Sequence, residues 1–533
     1  MKVQCLGAAR TVTGSCFVVT TGENRFAVDC GLHQGGAETE RRNWQIGPYR
    51  PGELDFILIT HAHLDHTGLL PRLVAAGYRG PVYATPPTAD LLKIMLLDSA
   101  HIQEMEALWK SRKRLRHGEK GVDPLYTISD AEKTLGLIKT VRYEESLNPC
   151  RGVKVTFRDA GHILGAALLD MEVEEDGITT RTIFSGDIGR PAQLIVKDPV
   201  TPGEADFLFM ESTYGNRDHK SEKDSLDELA EAVSYSYSRG EKVIIPAFAV
   251  ERTQEMIYCF HLLDRDGRLP KDMPVYVDSP LAIQATEIFR RWAEYFDDEA
   301  QALLKAHEDP LTLPQLRLTR TTSESIGINE TPGPAVVISA SGMADAGRIK
   351  HHLRHNLWRE GASVVFVGFQ AQGTTGRRIV EGAQRVRIFN EDVAVKARIF
   401  TINGFSAHAG QSQLIRWLGN FTSPRLQVFL VHGEHTAQLA LAEKIRETYG
   451  LPVLIPDHLE ELTLKKGEIP ARIPAAERAA PPVNWQEVLE GLAAAVEDLR
   501  CHRAALEALP REEQLLLRER IESLMPFLSR YRA

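Results

Sequence analysis

Three histidines and one aspartate lie within six residues, directly after a run of apolar residues rich in β-branched side chains. The apolar run covers residues 57–59, and the polar residues are His61, His63, Asp65 and His66. The run predicts a strand, and because alternate residues of an extended segment share a face, His61 and His63 can approach one point. Asp65 and His66 stand on the turn that follows and can approach a neighbouring point. The stretch therefore predicts a site for two metals, and its imidazole and carboxylate ligands suit zinc, although manganese or iron could occupy the same set.

The spacing His-x-His-x-Asp-His at residues 61–66 resembles the signature of the metallo-β-lactamase superfamily. Two residues further along stand in the superfamily's order, each beside glycines at the end of a predicted strand. The resemblance implies that His162 is the third ligand of the first metal and that Asp187 bridges the two metals. It also implies that Asp29, at the end of an earlier strand, orients the metal-binding loop.

Three later motifs, in fixed order, resemble those of the β-CASP family, which comprises nucleases with a cap domain inserted into the lactamase fold. They are centred on Glu211, His408 and His432. The resemblance implies that His432 binds the second metal together with Asp65 and His66. It also implies that Glu211 and His408 pair beside the site, where His408 protonates the leaving oxygen. RNA-processing members typically carry His in the third motif where DNA-repair members carry Val, so His432 indicates an RNA substrate.

The resemblance covers about residues 1 to 460 and implies an α/β fold class. We expect a metallo-β-lactamase αββα sandwich with an inserted parallel α/β β-CASP cap domain and a C-terminal helical extension. Apolar spacing typical of helices beyond a Pro/Ala-rich stretch predicts that this extension is a helical hairpin. The predicted order is lactamase domain, first part, 1–205; cap domain, 206–397; lactamase domain, second part, 398–466; linker, 467–483; helical hairpin, 484–533.

Two loops of the cap each follow an apolar strand-like run and precede a predicted helix. Free amides and the helix dipole at such places favour phosphate, so both loops are candidate sites for the RNA backbone. A glycine-rich turn without a ligand is an equally good interpretation of the same residues. The predicted phosphate-binding residues are Ser339, Ser341, Gly342, Gln370, Gly373 and Thr374, with Arg252 and Arg377 placed to help.

Charge and cysteine content limit the other classes of function. The net charge of −9 argues against a basic coat and leaves a local basic groove open, and we interpret the basic cluster at 110–116 as a solvated helix face. Six scattered cysteines without CxxC spacing predict free thiols. The sequence starts directly as a strand, and its apolar runs stay shorter than about 18 residues. We therefore expect a cytoplasmic protein without a membrane partner.

The predicted activity is hydrolysis of phosphodiester bonds in single-stranded RNA, in RNA processing or decay. The expected cofactors are two Zn²⁺ per chain, with Mn²⁺ as a possible substitute, in a hydroxide-mediated mechanism. Endonuclease and 5′ exonuclease modes both stay open, and so does a homodimer. Three alternatives remain: a small-molecule hydrolase of the glyoxalase or lactonase type, a non-catalytic RNA-binding scaffold, and a DNA nuclease.

Overall fold

The chain divides into two compact units, Met1–Pro474 and Ala475–Ala533. The structure, a computed structural model, describes residues 1–475 except 23, 369 and 372, and a few positions between 496 and 518. Most of the predicted helical hairpin at 484–533 lies outside the described residues, and the hairpin stays a prediction. No helix in the described part of the chain is long and apolar enough to cross a membrane.

The first part of the chain supplies eleven strands and five helices. The strands are β1 Lys2–Cys5, β2 Phe17–Thr21, β3 Asn24–Val28, β4 Ile57–Leu58, β5 Val82–Ala84, β6 Ile138–Thr140, β7 Ser146–Cys150, β8 Val153–Asp159, β9 Ala167–Glu175, β10 Ile178–Phe184 and β11 Phe207–Glu211. The helices are α1 Ala37–Arg41, α2 Leu64–Thr67, α3 Leu70–Ala75, α4 Pro86–Arg116 and α5 Ile128–Leu135.

The middle of the chain alternates helices and strands. They are α6 Glu222–Tyr237, β12 Lys242–Pro246, α7 Arg252–Arg265, β13 Val275–Val277, α8 Pro280–Arg291, α9 Asp298–Lys305, β14 Leu316–Leu318, α10 Thr322–Glu330, β15 Ala335–Ser339, α11 Ile349–Asn356, β16 Ser363–Phe366, α12 Thr375–Val380, β17 Arg385–Ile388, β18 Glu391–Ala394 and β19 Arg398–Thr401. The chain then adds α13 Gln411–Leu418, β20 Gln427–Val431, α14 His435–Tyr449, β21 Val453–Leu454, β22 Glu461–Thr463 and β23 Ala471–Ile473.

Two sheets face each other across an aromatic core and form the lactamase sandwich. The first sheet has the strand order β23-β22-β1-β2-β3-β4-β5-β6, and the second has β21-β20-β11-β10-β9-β8-β7. Phe17 of the first sheet lies 5.6 Å, between ring centroids, from both Phe184 and Phe209 of the second. Burying each such ring contributes about 1.5–3 kcal/mol, so the aromatic layer holds the two sheets together. The predicted sandwich is confirmed.

The cap is built on a six-stranded sheet with the order β14-β13-β15-β12-β16-β19, in which every pair is parallel. Strands of a parallel sheet are covered on both faces and read as continuous apolar runs. The residues of β12 and β15 fit this pattern, because all ten are buried. The parallel α/β cap predicted from these runs is confirmed.

Strand pairing places the domain boundaries a few residues away from the predicted ones. Phe207–Glu211 pairs with β10 and β20 and so belongs to the lactamase sandwich rather than to the cap. Arg398–Thr401 pairs with β16 and so belongs to the cap. Ala471–Ile473, placed in the linker from its prolines, pairs with β22 as an edge strand. A short apolar or alternating run predicts a strand but does not specify which sheet the strand joins.

Most segments that carry the candidate site lie at or directly after the carboxyl ends of strands of the sandwich, and the segment with His408 is the exception. They come after β3, β4, β8, β10, β11 and β20, and the pairs β3–β4, β10–β11 and β11–β20 are parallel. The carboxyl ends of parallel neighbours meet at one edge of a sheet. Six distant parts of the sequence therefore deliver polar side chains to one edge of the sandwich.

Candidate metal centre

The first group of predicted ligands lies together. His61 Nε2 is 3.1 Å from His63 Nδ1, and His162 Nε2 is 3.4 Å from the same His63 nitrogen. Oδ2 of Asp187 lies 3.4 Å from His61 Nε2 and 3.5 Å from His162 Nε2. Three imidazole nitrogens and one carboxylate oxygen thus point at a common centre.

The second group lies on the other side of the same carboxylate. Nε2 of His66 is 3.2 Å from Nε2 of His432, which in turn is 3.4 Å from Asp65 Oδ2. Oδ1 of Asp187 is 3.4 Å from His66 Nε2. Asp187 therefore presents one oxygen to each group, which is the position that a bridging ligand occupies.

These distances fit two bound cations. Tetrahedral zinc with bonds of about 2.1 Å places its ligand atoms about 3.4 Å apart, close to the separations in both groups. Oδ1 of Asp187 and Nδ1 of His162 are buried and have no hydrogen-bond partner among the described residues. A buried carboxylate oxygen without a partner is costly unless something absent from the protein chain satisfies it. The donor set of His61, His63, His162, Asp65, His66, His432 and Asp187 suits divalent metal.

Burial keeps most of the first group uncharged. It lowers the pKa of His63 to about 4 and the pKa values of His61 and His162 well below their usual range. A neutral imidazole has a free lone pair, which is the form that binds metal. Burial opposes ionisation of Asp187, but His432 and His66 reverse this effect and hold its pKa well below the usual range. The first group thus presents neutral imidazoles to a carboxylate anion, whereas at His66 the effect of burial is outweighed by Asp187 and Asp29, which raise its pKa well above the usual range.

Two residues outside the ligand set orient the imidazoles. Asp29 Oδ2 accepts a hydrogen bond from His66 Nδ1 at 2.7 Å, which leaves Nε2 of His66 for the metal. The other Asp29 oxygen accepts from the Thr60 backbone N–H at 2.8 Å, and the Thr60 hydroxyl lies 3.1 Å from His61 Nδ1. Asp29 thus contacts both His66 and Thr60, and the orienting role that the family resemblance implied for it stays a prediction. The sequence analysis assigned no role to Thr60, although its position directly before the histidine motif could have indicated one.

We expect Asp29→Asn to weaken metal binding. Asparagine tolerates the left-handed backbone of this position, where φ is 59°, and keeps an oxygen for the Thr60 amide. Its amide nitrogen would face the N–H of His66 Nδ1, so the orientation of His66 is lost. Metal affinity should fall about 10- to 100-fold, as is typical when such a partner is removed. Calorimetric zinc titration measures this loss, and Asp55→Asn is the control because Asp55 accepts from the Arg25 amide away from the site. Equal losses in both variants would contradict the role of Asp29.

The predicted pair Glu211 and His408 lies beside Asp187. Nδ1 of His408 is 3.1 and 3.2 Å from the two carboxylate oxygens of Glu211 and 3.9 Å from Asp187 Oδ2. Glu211 is fully buried and accepts a further hydrogen bond from the Ile188 amide at 2.6 Å. Burial lowers the pKa of His408, but Glu211 and Asp187 more than reverse this and raise it to about 9. A protonated imidazole, 21% exposed, is thus held at the edge of the metal groups.

A second set of buried charges joins the cap to the metal-bearing loops, and sequence reasoning missed it. The Arg190 guanidinium donates to Glu255 of α7 at 3.2 Å, and Arg252 donates to the same carboxylate. Glu251, with φ of 68°, is 2% exposed, and its carboxyl faces the amide of Leu164, two residues after His162. Burial and the nearby Glu255 carboxylate raise the pKa of Glu251 to about 8. The start of α7 therefore lies against the loop that carries His162.

The two cap loops predicted to bind phosphate lie side by side. Gln370 Nε2 donates to the carbonyl oxygen of Gly342 at 3.0 Å. The Ser341 hydroxyl makes two long contacts to Ala346, accepting from its amide at 3.3 Å and donating to its carbonyl at 3.4 Å, and Gly373 turns in the left-handed region with open space where a Cβ would stand. Ser341 and Gly373 are thus placed to contact a ligand, and their phosphate role stays a prediction.

Other members of the predicted phosphate set make internal contacts. The Ser339 hydroxyl donates to the Asp278 carbonyl at 2.9 Å, and Thr374 accepts from the Arg377 amide at 3.2 Å as the N-cap of α12. Arg377 pairs with Glu381 at 2.6 Å, and the Arg252 guanidinium is 8% exposed. His33, outside the predicted set, is buried with Nε2 3.4 Å from the Tyr49 hydroxyl.

Comparison with known families covers most of the described fold. Residues 18–181 match the metallo-beta-lactamase superfamily domain, residues 253–379 match the Beta-Casp domain, and residues 392–456 match the Zn-dependent metallo-hydrolase RNA specificity domain. The last segment contains His408 and His432.

Individual relatives agree with these matches. Ribonuclease TTHA0252 of Thermus thermophilus is 38% identical over 83% of this chain and 95% of its own length. Transcription termination factor FttA of Methanocaldococcus jannaschii is 28% identical over 87% of this chain and 72% of its own. A solved structure of a protein of unknown function from Enterococcus faecalis has a TM-score of 0.50 at 12% identity, covers 87% of this chain and 99% of that one, and shows the fold alone. The chain belongs to the β-CASP family of the metallo-β-lactamase superfamily.

Proposed function

We propose that this protein is a metal-dependent ribonuclease that hydrolyses phosphodiester bonds of single-stranded RNA with two bound zinc ions. Manganese is a possible substitute for zinc. The observation that carries the proposal is the position of Asp187, with one oxygen toward each ligand group and with His408 at 3.9 Å. This arrangement combines a site for two cations with a protonated imidazole, which together can supply the nucleophile and the leaving-group proton of phosphodiester hydrolysis.

Bound metals would supply an activated water near neutral pH and would neutralise charge on the phosphodiester. His61, His63 and His162 would hold one metal, and Asp65, His66 and His432 the other, with Asp187 between them. Oriented imidazoles and a buried carboxylate fix this geometry before substrate arrives, so little reorganisation is needed during the reaction.

His408 supplies the proton for the leaving oxygen. Glu211 accepts from Nδ1, which leaves Nε2 of the imidazolium as the N–H that can donate to the departing ribose oxygen. The same carboxylate favours the protonated form of His408, so the acid is ready near neutral pH. Glu211 itself keeps its place through the Ile188 amide and remains a positioning residue.

The proposal that the substrate is RNA rests mainly on the second half of the chain. The segment that contains His408 and His432 matches an RNA specificity domain, and the relative at 38% identity is a ribonuclease. The large cap over the site and the Glu211–His408 pair favour a polymeric phosphodiester over a small-molecule substrate. Each predicted ligand position carries a His or Asp side chain, which favours an enzyme over a non-catalytic scaffold.

The test is incubation of the purified protein with end-labelled and internally labelled single-stranded RNA, with and without a chelator. We expect cleavage that the chelator stops and that added zinc restores, and product length will separate internal cuts from stepwise 5′ removal. DNA of the same sequence and a lactone ester serve as competing substrates. Preferred turnover of either one over RNA would contradict the proposal.

A further inference from the structure

Phe248 is an exposed aromatic side chain on the loop that connects β12 to α7. Its side chain is 41% exposed, whereas most phenylalanines of the described residues are buried. The other exposed one, Phe389, has an evident local partner, because Lys350 lies 4.9 Å over its ring and His351 packs beside it. Packing of this kind does not explain why the Phe248 ring is exposed.

The Phe248 loop leaves the cap sheet at the place where such sheets bind ligands. After β12 the chain passes β15 to reach β13. After β15 it passes β12 in the opposite direction to reach β16. β12 and β15 are neighbours, so the direction of the connections reverses at their carboxyl ends. Open α/β sheets bind ligands in the crevice at this kind of switch point.

The ring of Phe248 is held in place rather than loosely exposed. The backbone carbonyl of Phe248 accepts hydrogen bonds from the Thr253 amide at 3.1 Å and from the Thr253 hydroxyl at 2.7 Å. On the other side the ring packs on Gly342, where a Cβ would come within 2.9 Å of it. Gly342 thus permits the close approach of the ring to the second loop of the switch point. A ring fixed in this way loses little conformational entropy when a ligand stacks on it.

The same segment leads to the metal-bearing loops. Phe248 stands three residues before Glu251, the N-cap of α7, and Glu255 of α7 accepts a hydrogen bond at 3.2 Å from Arg190, three residues after Asp187. The Phe248 ring itself packs on Gly342. The Phe248 loop therefore lies between the start of α7, which contacts a metal-bearing loop, and the Ser341–Gly342 loop.

We propose that Phe248 is a stacking platform for one nucleobase of single-stranded RNA on the cap side of the metal groups. This inference rests on the proposed ribonuclease function and adds to it a residue that binds substrate. Every base has an apolar face that can stack on an aromatic ring, so the contact favours an unpaired base without selecting its identity.

The test measures binding of a single-stranded oligoribonucleotide in the His408→Ala background, which slows cleavage. Phe248→Ala should weaken binding roughly 5- to 150-fold, which is the usual effect of stacking one base. Phe248→Trp should bind at least as tightly as the parent, and Phe248→Leu, which keeps apolar bulk without a π face, should resemble the alanine variant. Phe389→Ala is the matched control because Phe389 is similarly exposed, on the turn between β17 and β18, and this variant should bind RNA normally.

A series of oligonucleotides with one abasic position identifies the stacked base. At one position, removal of the base should cost as much as Phe248→Ala, and the two losses should not add. Unchanged affinity of Phe248→Ala, tight binding by Phe248→Leu, or additive losses at every position would overturn the inference. If the parent protein does not bind RNA, the proposed function fails as well, so the two failures are distinguishable.

Discussion

Asp187→Ala is expected to abolish RNA cleavage and to reduce the bound metal below two ions per chain. Its two oxygens lie 3.4 Å from His61 Nε2 and from His66 Nε2, so one substitution opens both coordination shells at once. Removal of the carboxylate also leaves the imidazoles of the two groups facing one another without the anion that separates them. Elemental analysis of the purified variant, combined with the labelled-RNA assay, measures both effects.

Loss of stability alone could mimic this result, and Asp170→Ala is the control for it. Asp170 is also a buried carboxylate of the second sheet, where it accepts from Arg158 at 2.9 Å and from Arg181 at 2.6 Å. Its removal leaves two half-buried guanidinium groups without their shared carboxylate and should lower the melting temperature. We expect this variant to keep two metals and its activity at low temperature. Full metal content and activity in Asp187→Ala would refute the assignment of the site.

His408→Ala should lower the rate of RNA hydrolysis by roughly 10²- to 10⁴-fold, the usual contribution of a general acid. Both metals should stay bound, because each predicted ligand set is complete without His408. The defect should nearly vanish on a nitrophenyl phosphodiester, if the protein turns this substrate over, since its leaving group departs with little protonation.

Glu211→Gln sharpens the same prediction. The amide can still occupy the buried space, but it no longer favours the imidazolium form of His408. We expect a rate loss on RNA in the same direction as for His408→Ala and a small effect on the activated substrate. Equal losses on both substrates would contradict the acid role and favour a role in positioning RNA or as an additional metal ligand.

The grouping of the predicted ligand side chains could be predicted because their spacing is local or recurs in a fixed order. His61, His63, Asp65 and His66 stand within one strand end and one turn, where backbone geometry alone brings them together. His162 and Asp187 were assigned from the family resemblance, and in the structure Nε2 of His162 lies 3.5 Å from Oδ2 of Asp187. Continuous apolar runs predicted the buried strands of the cap because both faces of its parallel sheet are covered.

Features that depend on contacts between distant segments were beyond the sequence analysis. Arg252 was predicted to bind phosphate, and its burial against Glu255 follows from the packing of α7 on the metal-bearing loops. Phe248 looks like one more core residue in an apolar stretch, and only the topology of the cap sheet places it at an exposed crevice. The pattern of apolar residues predicts the helix or strand to which a residue belongs. What the residue contacts depends on the order of the strands in the sheet, which the pattern does not give.

The most direct test of a two-metal ribonuclease is stepwise zinc addition to metal-free protein while cleavage of labelled single-stranded RNA is followed. We predict no cleavage without metal, a rate that rises with added zinc, and no further rise beyond two equivalents per chain. Cleavage by the metal-free protein, or intact RNA in the presence of fully loaded protein, would contradict the assignment of these residues as a two-metal hydrolytic centre for RNA.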